Sequence, residues 1–103
     1  IQPTPVDLWA TEPTLELADK ERVDALLVVN RALRRATLTA DMIEAIGKLG
    51  HRVADTKLGN RVAFAACMGE GRTVVETAPS SLAAREVAAL AEEILKTADQ
   101  LVE

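Results

Sequence analysis

An α/β fold of short parallel strands flanked by helices, with a sheet too small to be complete, is what the sequence predicts. Three observations carry this expectation. The run Ala25-Leu26-Leu27-Val28-Val29-Asn30 is continuously apolar up to its last residue, too short for a helix and without the alternation of a strand exposed on one side. Runs of that kind are strands buried on both faces, and they belong to parallel sheets covered by helices. A helical period follows at once, with Met42, Ala45, Ile46 and Leu49 after Thr39. A second short strand is then followed by a second helix, and this alternation is the mark of a parallel layout. Two or three parallel strands cannot bury both faces and hide both edges, so the sheet calls for further strands.

The elements follow in order. The opening IQPTPVDLW reads as an extended loop, because proline removes a backbone donor and keeps its predecessor out of the helical region. Asp7 is positioned to cap a helix through Leu8, Trp9, Leu15 and Leu17 that ends near Asp19, with Pro13 expected to kink or divide it. After the buried strand, the helix from Thr39 stops at Gly50. A second strand is expected over Val53 to Leu58, with Gly59 and Asn60 as the turn into a helix from Arg61 to Met68 that Gly69 and Gly71 close. Thr73 to Glu76 reads as a short extended stretch leading to the loop Thr77-Ala78-Pro79. The last helix opens at Ser80 or Ser81 and carries one apolar stripe, Ala83, Val87, Leu90, Ala91, Ile94, Ala98 and Leu101.

Composition narrows the function classes. With 103 residues there is room for one small domain, and at 49% hydrophobic and 27% charged residues the chain is of globular type. No run approaches the roughly 20 apolar residues that cross a bilayer. The first residue is Ile1 rather than methionine, which leads to the expectation that the sequence is cut from a longer one. The lone Cys67 permits no internal disulfide, fits a reducing cytoplasm, and reads as a packing residue after Phe64, Ala65 and Ala66. His51 has no second His or Cys with which to form a metal site and reads as a surface residue, and Trp9 as a core residue or an interface anchor. The formal charge of −4 is unevenly spread: residues 31–72 hold eight Lys/Arg against four Asp/Glu, while the rest hold four against twelve. A basic middle between acidic ends can form a local DNA-binding face even on an acidic protein, or be a solvated mixture of surface charges.

The segment LLVVNRALRRATLTADMIEAI, followed by ADTKLGNRVAFAACMGEGRTVVETAPSSLAAREVAALAEEIL, resembles the C-terminal half of ParA/MinD-type partition ATPases, which carry a deviant Walker A loop. The likeness lies in an ordered set of features. A buried strand ends in a small polar residue plus Arg, and a helix follows. A short strand leads to a turn with Arg and another helix. A Gly-x-x-hydrophobic-x-Glu stretch, a Pro-containing loop and a long striped helix complete the series. The opening IQPTPVDLW resembles the proline-rich segment of the small plasmid ParA proteins, so the resemblance covers nearly the whole chain. The family's Lys-Gly-Gly-x-Gly-Lys-Thr/Ser loop, which holds the nucleotide phosphates, and its Mg²⁺-positioning Asp segment have no counterpart in these residues. The resemblance therefore implies the C-terminal half of a P-loop fold, a single partial domain over residues 1–103 that would not hydrolyse ATP alone.

By the resemblance, this half supplies the adenine side of an ATP or ADP site whose Mg²⁺ and phosphates belong to the other half. Asn30 and Arg31 at the end of the first strand are the expected base-side residues, joined by the loop Thr77, Ala78 and Pro79. For Asn30 the competing reading is a local backbone hydrogen bond; for Arg31 it is a surface charge, and for the loop a plain helix lead-in. Pro3, Pro5 and Trp9 are the interface candidates, and Arg34, Arg35, Lys57 and Arg61 the candidates for nonspecific DNA. No catalytic residue and no metal ligand is assigned. The implied partners are a second copy or the missing N-terminal half, a ParB-type or centromere-binding protein, and DNA, with a cytoplasmic, nucleoid-associated location. Two other readings stand beside this one. The first is a noncatalytic, self-associating scaffold or binding module joined through an exposed sheet edge. The second is a MinD-like cell-division ATPase, which would need a basic amphipathic C-terminal helix in place of the acidic tail ADQLVE.

Overall fold

The computed structural model describes residues 1–33 and 37–102, with the side chains of 37–39 and 102 outside that description. Among them run helix α1 (Pro5–Lys20), strand β1 (Leu26–Leu27), α2 (Thr37–Gly47), β2 (Arg52–Val53), α3 (Val62–Gly69), α4 (Val74–Thr77) and α5 (Leu82–Val102). The strands pair in parallel, Leu26 with Arg52 and Leu27 with Val53. The α/β class and the small open parallel sheet are as the sequence predicts.

Formal strand geometry is brief, but the pairing continues. Ala54 N–H donates to the Leu27 carbonyl at 2.8 Å and Leu58 N–H to the Val29 carbonyl at 2.9 Å. A parallel bridge joins Ala32 to Gly59. Between these contacts residues 55–57 leave the sheet, so the expected strand over Val53 to Leu58 is interrupted. Leu27 and Val29 lie on one face of β1 and are buried with Leu15 of α1 and Ile46 of α2. Leu26 and Val28, on the opposite face by strand alternation, are only half-buried. The expectation of burial on both faces is thus met on one. A separate cluster forms from Cys67, Val74, Ala83 and Ala84, where α3, α4 and α5 meet. Cys67 is a packing residue, 5% exposed, with its thiol donating to the Phe64 carbonyl at 3.1 Å.

Several local expectations are corrected. Helix α1 begins at Pro5, with Thr4 as its cap: the Thr4 Oγ1 accepts from Asp7 N–H at 3.2 Å, while the Asp7 carboxylate turns back to accept from Gln2 N–H at 2.7 Å. A proline at the first helical position costs nothing there, because its missing N–H has no partner in any helix. Pro13 does not divide α1. It and Trp9, whose carbonyl loses its usual partner, are both exposed, where water can replace the bond. Residues 73–76 are not extended: Thr73 and Glu76 form a capping box that opens α4, a Thr-x-x-Glu signal that was present in the sequence.

Trp9 is 65% exposed and takes no part in the core. His51, read as a surface residue, has a side chain only 15% exposed, with Nε2 3.3 Å from Asp19 Oδ1. The last turn of α1 brings that carboxylate to His51, just before β2. Helix α5 starts at Leu82 with Ser81 Oγ accepting from Ala84 N–H at 3.1 Å. Ala83, Val87 and Leu90 of its stripe face inward, but Ala91, Ile94, Ala98 and Leu101 are exposed. Glu86, Glu93 and Thr97 are the half-buried residues along the rest of the helix, because its two carboxylates bind the loop after β2.

Ile46, 1% exposed, joins α2 to β1 and α1. Ile46→Ala is expected to destabilise the chain by about 2–5 kcal/mol, read as a lower urea midpoint for unfolding; an unchanged midpoint would show that this cluster does not hold the fold.

Candidate functional site

The site grows from the end of β1. Asn30 follows the buried Val29, and its side-chain Oδ1 accepts from the Arg31 N–H at 2.9 Å. That bond accompanies a left-handed backbone at Arg31, φ 55°, a conformation that side chains with a Cβ adopt at a cost. The turn leaves both side chains exposed at the strand's C-terminal end, the end at which open α/β sheets bind ligands, while Ala32 just beyond it still pairs with Gly59. The amide NH₂ of Asn30 remains a donor, and its oxygen already serves the turn.

Asn30 and Arg31 line a hollow of about 260 Å³ with Gly59, Asn60, Arg61, Phe64 and Met68. Its walls combine two amides, backbone from the β2–α3 connection, an aromatic ring and a thioether. The volume falls below the roughly 300–1,000 Å³ of sites for whole drug-sized ligands. A flat heterocycle fits such a space better than an entire nucleotide. A larger hollow of about 590 Å³ lies on the other side of the same connection, among Leu33, Ala40, Ile43, Lys57, Leu82 and Glu86. Gly59, Asn60 and Arg61 belong to both.

The connection itself is held from α5, and this the sequence reading did not find. Glu86 accepts from Arg61 Nε at 2.7 Å and Nη2 at 3.2 Å, a two-pronged ion pair, and from Gly59 N–H at 3.3 Å. Seven residues on, Glu93 accepts from Asp55 N–H at 2.7 Å and Thr56 N–H at 2.8 Å. The Arg61 hydrogen bond holds the Glu86 carboxyl below the ordinary glutamate value against the opposing effect of burial, with lesser help from the Gly59 N–H and the Arg61 charge. The Thr56 hydrogen bonds do the same for Glu93. The helical spacing of Glu86 and Glu93 was visible, but nothing local in the sequence marks which backbone groups they meet.

The other sequence-predicted residues scatter. Thr77, Ala78 and Pro79 do not line the Asn30 hollow; Ala78 packs against the Cys67–Val74–Ala83 cluster, and Pro79 is exposed. Pro3 is buried within the chain and Pro5 is half-buried at the start of α1. Trp9 forms an exposed apolar surface on α1 with Val6, 67% exposed, and Leu17, 58% exposed. Lys57 is exposed, with Nζ 3.4 Å from the Asp55 carbonyl, and the Arg61 guanidinium is committed to Glu86. Arg34 and Arg35 lie outside the described residues. Among the described residues, no group of three His, Cys, Asp or Glu side chains could hold a metal ion, and no helix is long and apolar enough to cross a membrane.

Because both carboxyls are held below their ordinary value, the folded state gains from their ionised forms above the ordinary glutamate value and loses this as pH falls through the lowered one. Protection of the amides of residues 55–61, taken relative to their intrinsic exchange rates, should therefore fall below about pH 4.3, and Glu86→Gln with Glu93→Gln should flatten that dependence. A profile unchanged by the double substitution would contradict the clamp.

No protein-family model matches the chain. The chain is 31% identical over 81 residues to the maintenance of carboxysome distribution protein A of Halothiobacillus neapolitanus, an alignment covering 74% of this chain and 38% of that relative. The chain thus spans well under half the length of the relative it matches. That likeness lends loose support to a relation with the ParA-like proteins.

Proposed function

We propose that this chain is the C-terminal portion of a ParA-family ATPase of plasmid or chromosome partition, contributing the adenine-side wall, part of a dimer surface and part of a nonspecific DNA face. The observation that carries the reading is the hollow at the C-terminal end of the parallel strands, where Asn30 and Arg31 meet the Gly59–Arg61 connection. An amide donor, backbone groups, the Phe64 ring and the Met68 thioether suit the edge and faces of a purine. In this reading the phosphates and Mg²⁺ are held by a preceding half with the lysine-bearing glycine loop. Base recognition and triphosphate chemistry are thus divided between two halves.

Three features support incompleteness. Ile1 N–H donates to the Val28 carbonyl at 3.0 Å, and Asn30 N–H to the Ile1 carbonyl at 2.8 Å, the pattern of a parallel neighbour beside β1. On that edge the Leu26 carbonyl and Val28 N–H are placed for a further parallel strand. The chain exposes 7336 Å², against about 5,600 Å² expected for a compact monomer of 11.0 kDa. Its radius of gyration is 14.8 Å, against about 13 Å for a compact domain of this length. The excess surface is of the order that one partner contributes to an extensive interface.

The dimer surface is proposed for the Trp9 face of α1, with Pro5 at its head, and the DNA face for Lys57 with Arg34 and Arg35. Arg61 would join that face only by leaving Glu86. The relative named for maintaining carboxysome distribution adds support for a positioning task, of which DNA partition with a ParB-type or centromere-binding partner is the form proposed here. The open edge of β1 also favours a second reading, a noncatalytic module that self-associates by strand pairing.

Calorimetry of the chain mixed with the glycine-loop half of a ParA-type protein should show ATP binding, weakened about tenfold by Asn30→Ala. Absence of ATP binding by the wild-type pair, together with a stable homodimer of the chain by light scattering, would replace this reading with the self-associating module.

A further inference from the structure

The wall shared by the two hollows does not stand by itself. After β2 the chain leaves the sheet at Asp55 and returns to pair at Gly59 with Ala32, so the segment between is held by the sheet only at its ends and by the Leu58 N–H bond to Val29. The backbone N–H groups of Asp55, Thr56 and Gly59 and the Arg61 guanidinium find their acceptors on α5. Glu93 takes the two N–H groups where the segment departs, and Glu86 takes Gly59 N–H and the Arg61 fork where it turns into α3. Helix α3 opens at Arg61 without a side-chain cap, so its entry angle depends on how that residue is held.

We propose that Glu86, with Glu93 behind it, is a positioning residue for the base pocket: it fixes the Gly59–Arg61 wall at the distance from Asn30 that a planar base requires. This inference rests on the base-side reading of the hollow. The ion pair is suited to the task. Its carboxylate side chain is 23% exposed and the guanidinium 33% exposed, so the contact is partly shielded from water. A two-pronged Arg–carboxylate contact fixes orientation as well as distance. The third acceptance, from Gly59 N–H, ties the same carboxylate to the backbone that faces the pocket. A displacement of the wall would widen the slot without touching any phosphate-side contact, so the signature of the role lies in discrimination between bases rather than in overall affinity.

The test uses the chain paired with a ParA-type glycine-loop half, with ATP and GTP as probes. Glu86→Ala should lower the ratio of ATP to GTP affinity by about tenfold, the effect of losing one charge-assisted contact network. Glu86→Gln, which keeps an acceptor oxygen for Gly59 and Arg61, should recover most of that preference. Glu92→Ala, on the same helix and paired only with the exposed Lys96, should leave the ratio unchanged. Equal losses for the two nucleotides, or an unchanged ratio in Glu86→Ala, would overturn the positioning role while leaving the nucleotide reading intact. Failure of the wild-type pair to bind either nucleotide would instead overturn the nucleotide reading and this inference with it. If Glu86→Ala does not fold, Glu86→Leu, which fills the same space without an acceptor, carries the test: hydrogen exchange at Gly59 should rise in it by at least a few fold with α1 and α2 unaffected, and unchanged exchange would sink the proposal.

Discussion

Parallel backbone pairing from Leu26 to Ala32 against Arg52 to Asn60 decides where the functional groups of this chain lie. Only two residue pairs meet the geometry of a regular strand, yet the Val29–Leu58 and Ala32–Gly59 contacts extend the register past the end of the sheet. Asn30 and Gly59 are nearly 30 residues apart in sequence, and this register makes them neighbours. Once they are neighbours, α3 has little freedom, since it starts directly beyond the paired Gly59 and Asn60, and α5 is drawn against the same connection by its two carboxylates.

How much of this was legible follows the range of the interactions involved. The first buried strand, the helix over Met42 to Ile46, and the helix ending before Gly71 were read from apolar runs and glycine stops, which are local signals. The α4 turn is hidden although its capping box is local, because Thr73-Val74-Val75 has the β-branched composition of a strand. Pro13 was given too much weight: a proline on an exposed helix face gives up a bond that water replaces. The stripe on α5 was half right, and its failure is instructive. Ile94, Ala98 and Leu101 line an open hollow with Leu26 and His51, while Glu93 between them and Leu90 serves Thr56, a contact 37 residues away that no periodicity reports.

Two residues of the hollow stood out in the sequence. A short polar residue and an arginine at the end of a doubly apolar strand pointed to Asn30 and Arg31, and the structure places them at one hollow. Thr77, Ala78 and Pro79, expected beside them, do not line that hollow; Gly59, Asn60 and Arg61 with Phe64 and Met68 of α3 do. Arg61 is a candidate for DNA contact by the sequence, but a carboxylate on α5 claims its guanidinium. Charge counts along a sequence report how many basic groups a segment has and are silent on which are already neutralised.

The backbone at Arg31 has a consequence of a different kind. A left-handed residue bearing a long side chain gives up roughly 1 kcal/mol that a glycine in the same turn would keep. Stability alone would favour the smaller residue, since the guanidinium packs against nothing in the interior and has no ion-pair partner among the described residues. The chain is therefore less stable at this turn than its own geometry permits, and the difference is held in a cation that marks the mouth of the hollow.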